Sequence, residues 1–348
     1  MKHRNLHLLA AVLVYSLLFG NIKALSQTWS NVGTGIYGNF KCFAVYNGFL
    51  YAGGIDSLNG KKTNVAKWDG TNWTATDTGQ LGHVISMIVY KGKLYAGTEF
   101  TDAGLTFGNI LCWNDTNWAV SGKPNGKVTC FAIYDSVLYA GGFFTMVDTM
   151  RARHIAKWCD TLNKWVMVNR GGIEGKVLSL IPYHRKLFAG GQFDYVTSYN
   201  GKQWEDVRVN GNGFVNGWVQ SFAIWNEDLY AAGQFDFVAK WDGSAWSSMG
   251  PFNDVVGAIA VYHNELYAGG DFTGVPLYDH AYHIAKYSGI NWDCVGGVIY
   301  WGGECKPYTG TVWALCVYKD DLYMGGQFMI AGGKIIQNIA KWNKPIPK

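Results

Sequence analysis

The chain has 348 residues, of which 16% are aromatic and 16% charged, with 45 glycines against 7 prolines. So many aromatics and glycines exclude a disordered chain and point to packed strands joined by tight turns. The formal charge of +4 sits mostly in the first 26 residues; the rest carries 26 basic and 25 acidic side chains, which gives no electrostatic footprint for nucleic acid or an anionic membrane.

Residues 1–26 read as a secretory signal peptide. Lys2, His3 and Arg4 form a basic start, and an apolar run follows from Leu6 to Phe19, broken only by His7 and Ser16. Ala24-Leu25-Ser26 then places small residues at the spacing of a cleavage site, so the mature chain is expected to begin at Gln27. The apolar run is short beside the roughly 20 residues of a bilayer span, and no later stretch is longer. The expected product is a single domain, 27–348, secreted or held outside the cytoplasm in the periplasm or at the cell surface, with no membrane span.

From residue 40 onward one unit recurs seven times. FKCFAVY (40–46) leads through Asn47-Gly48 into LYAGG (50–54). Asn-Gly between β-rich runs is a strong hairpin signal, so these are two antiparallel strands, a and b. The pair returns as VISMIVY and LYAGT (84–98), VTCFAIY and LYAGG (128–142), VLSLIPY and LFAGG (177–191), VQSFAIW and LYAAG (219–233), VGAIAVY and LYAGG (256–270), and VWALCVY and LYMGG (312–326). A third run, NVAKWDG at 64–70 in the first copy, is strand c. A second tryptophan beyond a short turn (Trp73, Trp118, Trp165, Trp204, Trp246 and Trp292) starts strand d.

Successive LY positions lie 44, 44, 49, 42, 37 and 56 residues apart. Four strands at that period make one blade of a β-propeller, so the predicted fold is an all-β, seven-bladed β-propeller. The last copy lacks a strand d, because the chain ends at Lys348. QTWSNVGTG (27–35) resembles TNWTATDTG (71–79) and is expected to supply the missing strand, closing the ring and removing an open edge.

The glycine pair after an apolar strand, the aromatic of strand c and the tryptophan beyond its turn resemble a kelch-type blade. They are also similar to repeats of secreted bacterial propellers that read roughly LYAGGxF…NIAKWDGxxW. The resemblance covers 27–348 and implies the fold more than any activity. The copper oxidases among kelch-like propellers imply metal ligands that this sequence does not display. The chain departs from WD40 repeats, since it has no Gly-His pair and its Trp-Asp falls in strand c before a turn.

The tryptophans recur at one fixed place per blade and are expected to pack blade against blade. Lys67, Lys157, Lys240, Lys286 and Lys341 precede the strand-c aromatic and should be solvated or pair between blades. The third residue of strand a is small throughout, and Cys42, Cys130 and Cys316 are expected to be buried small hydrophobes there. Cys294 and Cys305 flank an insertion and are the first disulfide candidates; Cys112 and Cys159 leave a second bridge open. His280 and His283 stand three apart in a loop, where that spacing is a weak metal signature. His283 shares the start of strand c with His154 and with Asn64, Asn109 and Asn338 in other blades, which suits a backbone hydrogen bond better. No metal or cofactor is expected. Asp56, Asp102, Asp148 and Asp271 lie near the ends of strand b, but nothing in the sequence pairs two of them for glycoside hydrolysis. Asn72 and Asn114 stand in glycosylation sequons.

The a–b and c–d turns are short and share one face, whereas the b–c and d–a connections vary and share the other. Variable loops on a rigid scaffold are the default binding surface. The candidate binding residues are Asp148, Arg151 and Arg153 in the loop 145–154, Tyr278, Asp279, His280 and Tyr282 in the loop 273–283, and Tyr300, Trp301 and Glu304 in the insertion 294–311. Tyr, Trp and Arg dominate contact energies. The expectation is a monomeric binding module for a protein or a surface polymer such as a polysaccharide. A glycan-active enzyme with its site at the propeller axis and a structural part of a larger envelope assembly are the alternatives. Carboxylates clustered with Arg or His at the channel mouth would favour the enzyme; scattered aromatics and Arg around the rim would favour binding.

Overall fold

The structure is a computed structural model that describes residues 28–102, 105–169, 171–193, 196–207, 217–235, 237–275, 281–295 and 309–343. Seven antiparallel sheets, each in the order a-b-c-d, make a seven-bladed propeller. Blade one is Ile36–Tyr46, Phe49–Leu58, Val65–Trp68 and Trp73–Ala75. Blades two to six repeat it, with strands a at His83–Tyr90, Val128–Tyr134, Val177–Tyr183, Trp218–Trp225 and Val256–Tyr262. Blade seven takes a, b and c from Thr309–Tyr318, Asp321–Ala331 and Ile339–Asn343, and its strand d from Thr28–Asn31. That last pairing sets Trp29 opposite Trp342 and closes the ring as the sequence predicts.

Both residues of every a–b turn have positive φ, from Asn47-Gly48 (48° and 78°) to Lys319-Asp320 (48° and 63°). This is the backbone of the type I′ hairpin, whose twist matches that of the flanking strands. The c–d turns use a side chain instead. Asp69 Oδ1 accepts hydrogen bonds from the Thr71 and Asn72 amides at 2.6 and 2.7 Å, and Asp242 does the same for Ser244 and Ala245. The Asp of KWDG is thus spent on its own turn.

The core lies between blades rather than within them. Each of the seven buried apolar clusters joins two neighbouring blades, including blades seven and one. The strand-b glycines make this close approach possible. A Cβ on Gly141 would sit 2.7 Å from Cys130 Sγ in its own blade and 2.7 Å from Val177 Cγ1 of the next. One on Gly142 would strike the Lys127 carbonyl oxygen, which a bulge between Val128 and Cys130 brings inward. LYAGG is therefore a packing surface.

Two aromatic rings reinforce the junctions. The strand-c aromatic and the strand-d tryptophan pack with ring centres 5.1–5.6 Å apart in every blade, tilted or, for Trp158–Trp165, edge-on, Trp29–Trp342 included. The aromatic ending each strand a donates a hydrogen bond to a carbonyl in the next blade's a–b turn. Tyr46 reaches Gly92, Tyr90 Ser136, Tyr134 Arg185, Tyr183 Glu227 and Tyr262 Asp320. Trp225 Nε1 reaches Asn264 at 3.2 Å, and Tyr318 closes the circle on Gly48 at 2.8 Å.

The strand-c lysines correct one expectation. Lys240, Lys286 and Lys341 pair within their own blades, with Asp228, Glu265 and Asp321 at 2.6, 3.0 and 2.8 Å. Each acid is the first residue of strand b. Strand register sets Lys286 opposite Tyr267, two residues along from Glu265, so the lysine reaches an acid across its own sheet.

Candidate functional site: the variable face and the channel mouth

Strands a of all seven blades line an axial channel of about 290 Å³. Phe43, Met87, Phe131, Leu180, Phe222, Ile259 and Leu315 ring it at one level. Polarity enters two positions earlier, at Lys41, Thr129, Gln220 and Trp313, nearer the variable face. Lys41 Nζ lies 3.7 Å from the centre of a Trp313 ring, a cation–π contact. Burial lowers the Lys41 pKa, opposed by the charges of Glu99 and Asp271.

Around this mouth the carboxylates have near neighbours. Glu99 pairs with Lys127 at 3.4 Å, Asp56 lies 3.6 Å from His83, and Asp271 accepts a hydrogen bond from Thr311. Lys127 and Lys176 sit 4.3 and 4.7 Å from the Phe143 ring. Among the described residues, no group of three or more His, Cys, Asp or Glu is placed to hold a metal. The large apolar side chains on this face are less covered: Tyr37, Met146, Trp218, Met329 and Ile335 are all exposed.

The loop 145–154 folds into a small hairpin, Met146–Val147 paired with Met150–Arg151. Asp148 takes the left-handed turn position (φ 51°), and its Oδ1 accepts the Lys123 amide at 3.0 Å. Asn125 Oδ1 accepts the amides of Thr145 and Met146, docking the hairpin onto the d–a connection. Arg153 donates to the Gly171 carbonyl at 3.2 Å. Both Asp148 and Arg153 are thus engaged in holding their loop. The Arg151 side chain is exposed and makes no hydrogen bond or ion pair with the described residues.

Tyr282 is half-buried and packs on the blade six–seven cluster. Beside it His283 has φ 61°, its amide donates to the Phe272 carbonyl at 2.8 Å, and its Nδ1 lies 3.2 Å from the Gly270 carbonyl oxygen. His154 and Asn338 hold the same left-handed position, with φ 68° and 63°. Burial lowers the pKa of both histidines. Tyr278, Asp279, His280, Tyr300, Trp301, Glu304 and Cys305 lie outside the described residues.

Cys294 is disulfide-bonded. The other five described cysteines, Cys112 and Cys159 among them, are free thiols. Burial pushes the thiols of Cys130 and Cys316 up to about 12, so neither is poised as a nucleophile.

Sequence reasoning overlooked Lys41, Trp313, Tyr37 and Met329. The first two had a signal: they share the strand-a position that holds Ile85, Thr129, Leu178, Gln220 and Gly257 in other blades, where Lys41 is the one charge and Trp313 the one aromatic. Tyr37 precedes the stretch that repeats, and Met329 follows it.

No protein-family profile and no curated protein sequence matches this chain. Solved structures match its fold. The WD40 β-propeller domain of Doa1 aligns with a TM-score of 0.60 and 12% identity, over 92% of this chain and 98% of that one. The computationally designed Ika8 protein aligns with a TM-score of 0.53 and 10% identity, over 90% and 98%. At these identities the likeness is one of fold alone, and propellers of this kind host many functions. The chain is an all-β, seven-bladed propeller.

Proposed function

We propose that this protein is an exported binding module without catalysis, which engages a protein or surface polymer through its variable face. One observation carries the reading: Glu99 and Asp271 at the channel mouth are each tied to a neighbour, Lys127 and Thr311, while Tyr37, Met146, Trp218 and Met329 stay exposed around them. Exposed aromatic and thioether groups on a rigid rim are what a binding surface needs. A glycan-cleaving site needs two carboxylates facing one bond, and Glu99 and Asp271 are each tied to another partner.

Export is supported by the basic and apolar start of the chain and by the disulfide at Cys294, a bond of oxidising compartments. The repeat pattern LYAGG…NIAKWDGxxW supports placing the chain with kelch-like secreted propellers. Sequencing the mature N-terminus tests export, with Gln27 the expected first residue. The binding reading is tested by capture from envelope extract. Met146→Glu with Trp218→Ala should cut recovery of partners by roughly tenfold, whereas Leu162→Glu and Ile290→Glu on the opposite face should not. Equal capture by all four would sink it.

A further inference from the structure

A groove of about 650 Å³ opens on the variable face where blade seven meets blade one. Its volume falls in the range of small-ligand sites. Tyr37 and Met329 form exposed walls, 51% and 61% accessible, over the buried Phe328. Backbone packs tightly beneath: a Cβ on Gly38 would sit 2.6 Å from the Ile55 Cα and 2.7 Å from the Asp56 amide nitrogen. Four flat polar side chains line the groove, those of Asn39, Asp56, Gln327 and Asn338, and Asn338 Oδ1 accepts the Phe328 amide. Asn39 Oδ1 is buried and has no hydrogen-bond partner among the described residues. No lysine or arginine is among the lining residues.

We infer that this groove binds an uncharged glycan segment. The inference rests on the binding reading above and names the ligand class for one part of that face. A pyranose ring has two kinds of surface. Its edge carries hydroxyls that both donate and accept, and its faces carry patches of C–H. The exposed Asp56 carboxylate accepts, and the exposed Gln327 amide both donates and accepts. Tyr37 and Met329 supply the apolar contact for a ring face. A purely apolar ligand would cover the exposed Asp56 carboxylate and Gln327 amide without giving either a hydrogen bond. An anionic ligand would meet Asp56 with no cation lining the groove. A basic peptide would meet one carboxylate, which His83 already faces at 3.6 Å.

The test uses the exported protein and defined probes: cellotriose, maltotriose, xylotriose and triacetylchitotriose, with sialyllactose and heptalysine as anionic and cationic comparators. Binding is read by saturation-transfer NMR and titration. At least one neutral trisaccharide should bind. Tyr37→Ala and Gln327→Ala should each weaken it at least about tenfold, near 1.4 kcal/mol, and Tyr37→Trp should retain it. Both altered side chains are exposed, so folding should be undisturbed, which circular dichroism checks. The inference is overturned if no neutral trisaccharide binds, if binding survives Tyr37→Ala, or if only heptalysine or sialyllactose binds through Tyr37. If no trisaccharide binds while capture still depends on Met146 and Trp218, the groove inference falls and the rim reading stands.

Discussion

Six blades join strands c and d through a turn of a few residues; blade seven joins them across the whole chain. Thr28–Asn31 comes from one end and Ile339–Asn343 from the other, yet the geometry is the same. Trp29 faces Trp342 as Trp68 faces Trp73, with ring centres 5.3 and 5.2 Å apart. The covalent turn is therefore not what specifies the pairing; the packed aromatics and the neighbouring blade are. What the turn supplies is loop entropy, which grows only logarithmically with loop length. Blade seven adds a tie of its own, from Lys334 Nζ to the Trp29 carbonyl at 3.2 Å.

The largest effect should come from removing 27–35. Strand c of blade seven would become a bare edge and Trp342 would lose its packing partner, so folded monomer should give way to aggregate on size exclusion. Inserting three glycines into the turn at Gly70, where blade one joins the same two strands covalently, should leave a monomer. Next, Trp29→Ala and Trp68→Ala should each cost about 3–5 kcal/mol in urea unfolding, as for other buried tryptophans. A cost below about 1 kcal/mol for Trp29 alone would break the equivalence of the two pairs.

Glycine positions sharpen the comparison. Gly141→Ala drives a methyl into Val177 of the next blade and should cost ~1–3 kcal/mol. Blade five already carries Ala232, fully buried, at that place. Ala232→Gly should instead lose about 1 kcal/mol, through one buried methyl group and added chain entropy.

The smallest effect concerns acid. His154 and His283 are held below their ordinary value of 6.5 by burial. The unfolded chain therefore binds more protons below pH 6.5, and their contribution to stability, present above that pH, is lost as pH falls. Blade seven uses Asn338, which does not titrate. The double variant His154→Asn, His283→Asn should match the parent at pH 7 and hold a higher urea midpoint at pH 5. Parallel loss in both proteins would show that other groups set the acid limit.

The fold was legible because its determinants are local and repeated. The two-residue turns, the alternation of strand a and the c–d tryptophans each appear seven times at nearly constant spacing. Even the borrowed strand showed itself, through the likeness of QTWSNVGTG to TNWTATDTG. The lysines of strand c were misjudged because their partners depend on register. Asp148 and Arg153 looked like contact residues because loop composition does not show which side chains a loop spends on its own docking.

The sequence by itself determined the blade count, the strand order and the ring closure, because each copy carries its own pattern of packing and turn residues. Only the tertiary structure decided which side chains face a common space. Tyr37 and Met329 lie near opposite ends of the chain, and Lys41 and Trp313 almost as far apart; the circle brings each pair together. A repeat that closes on itself makes neighbours of its first and last units, and no local pattern in either unit records that meeting.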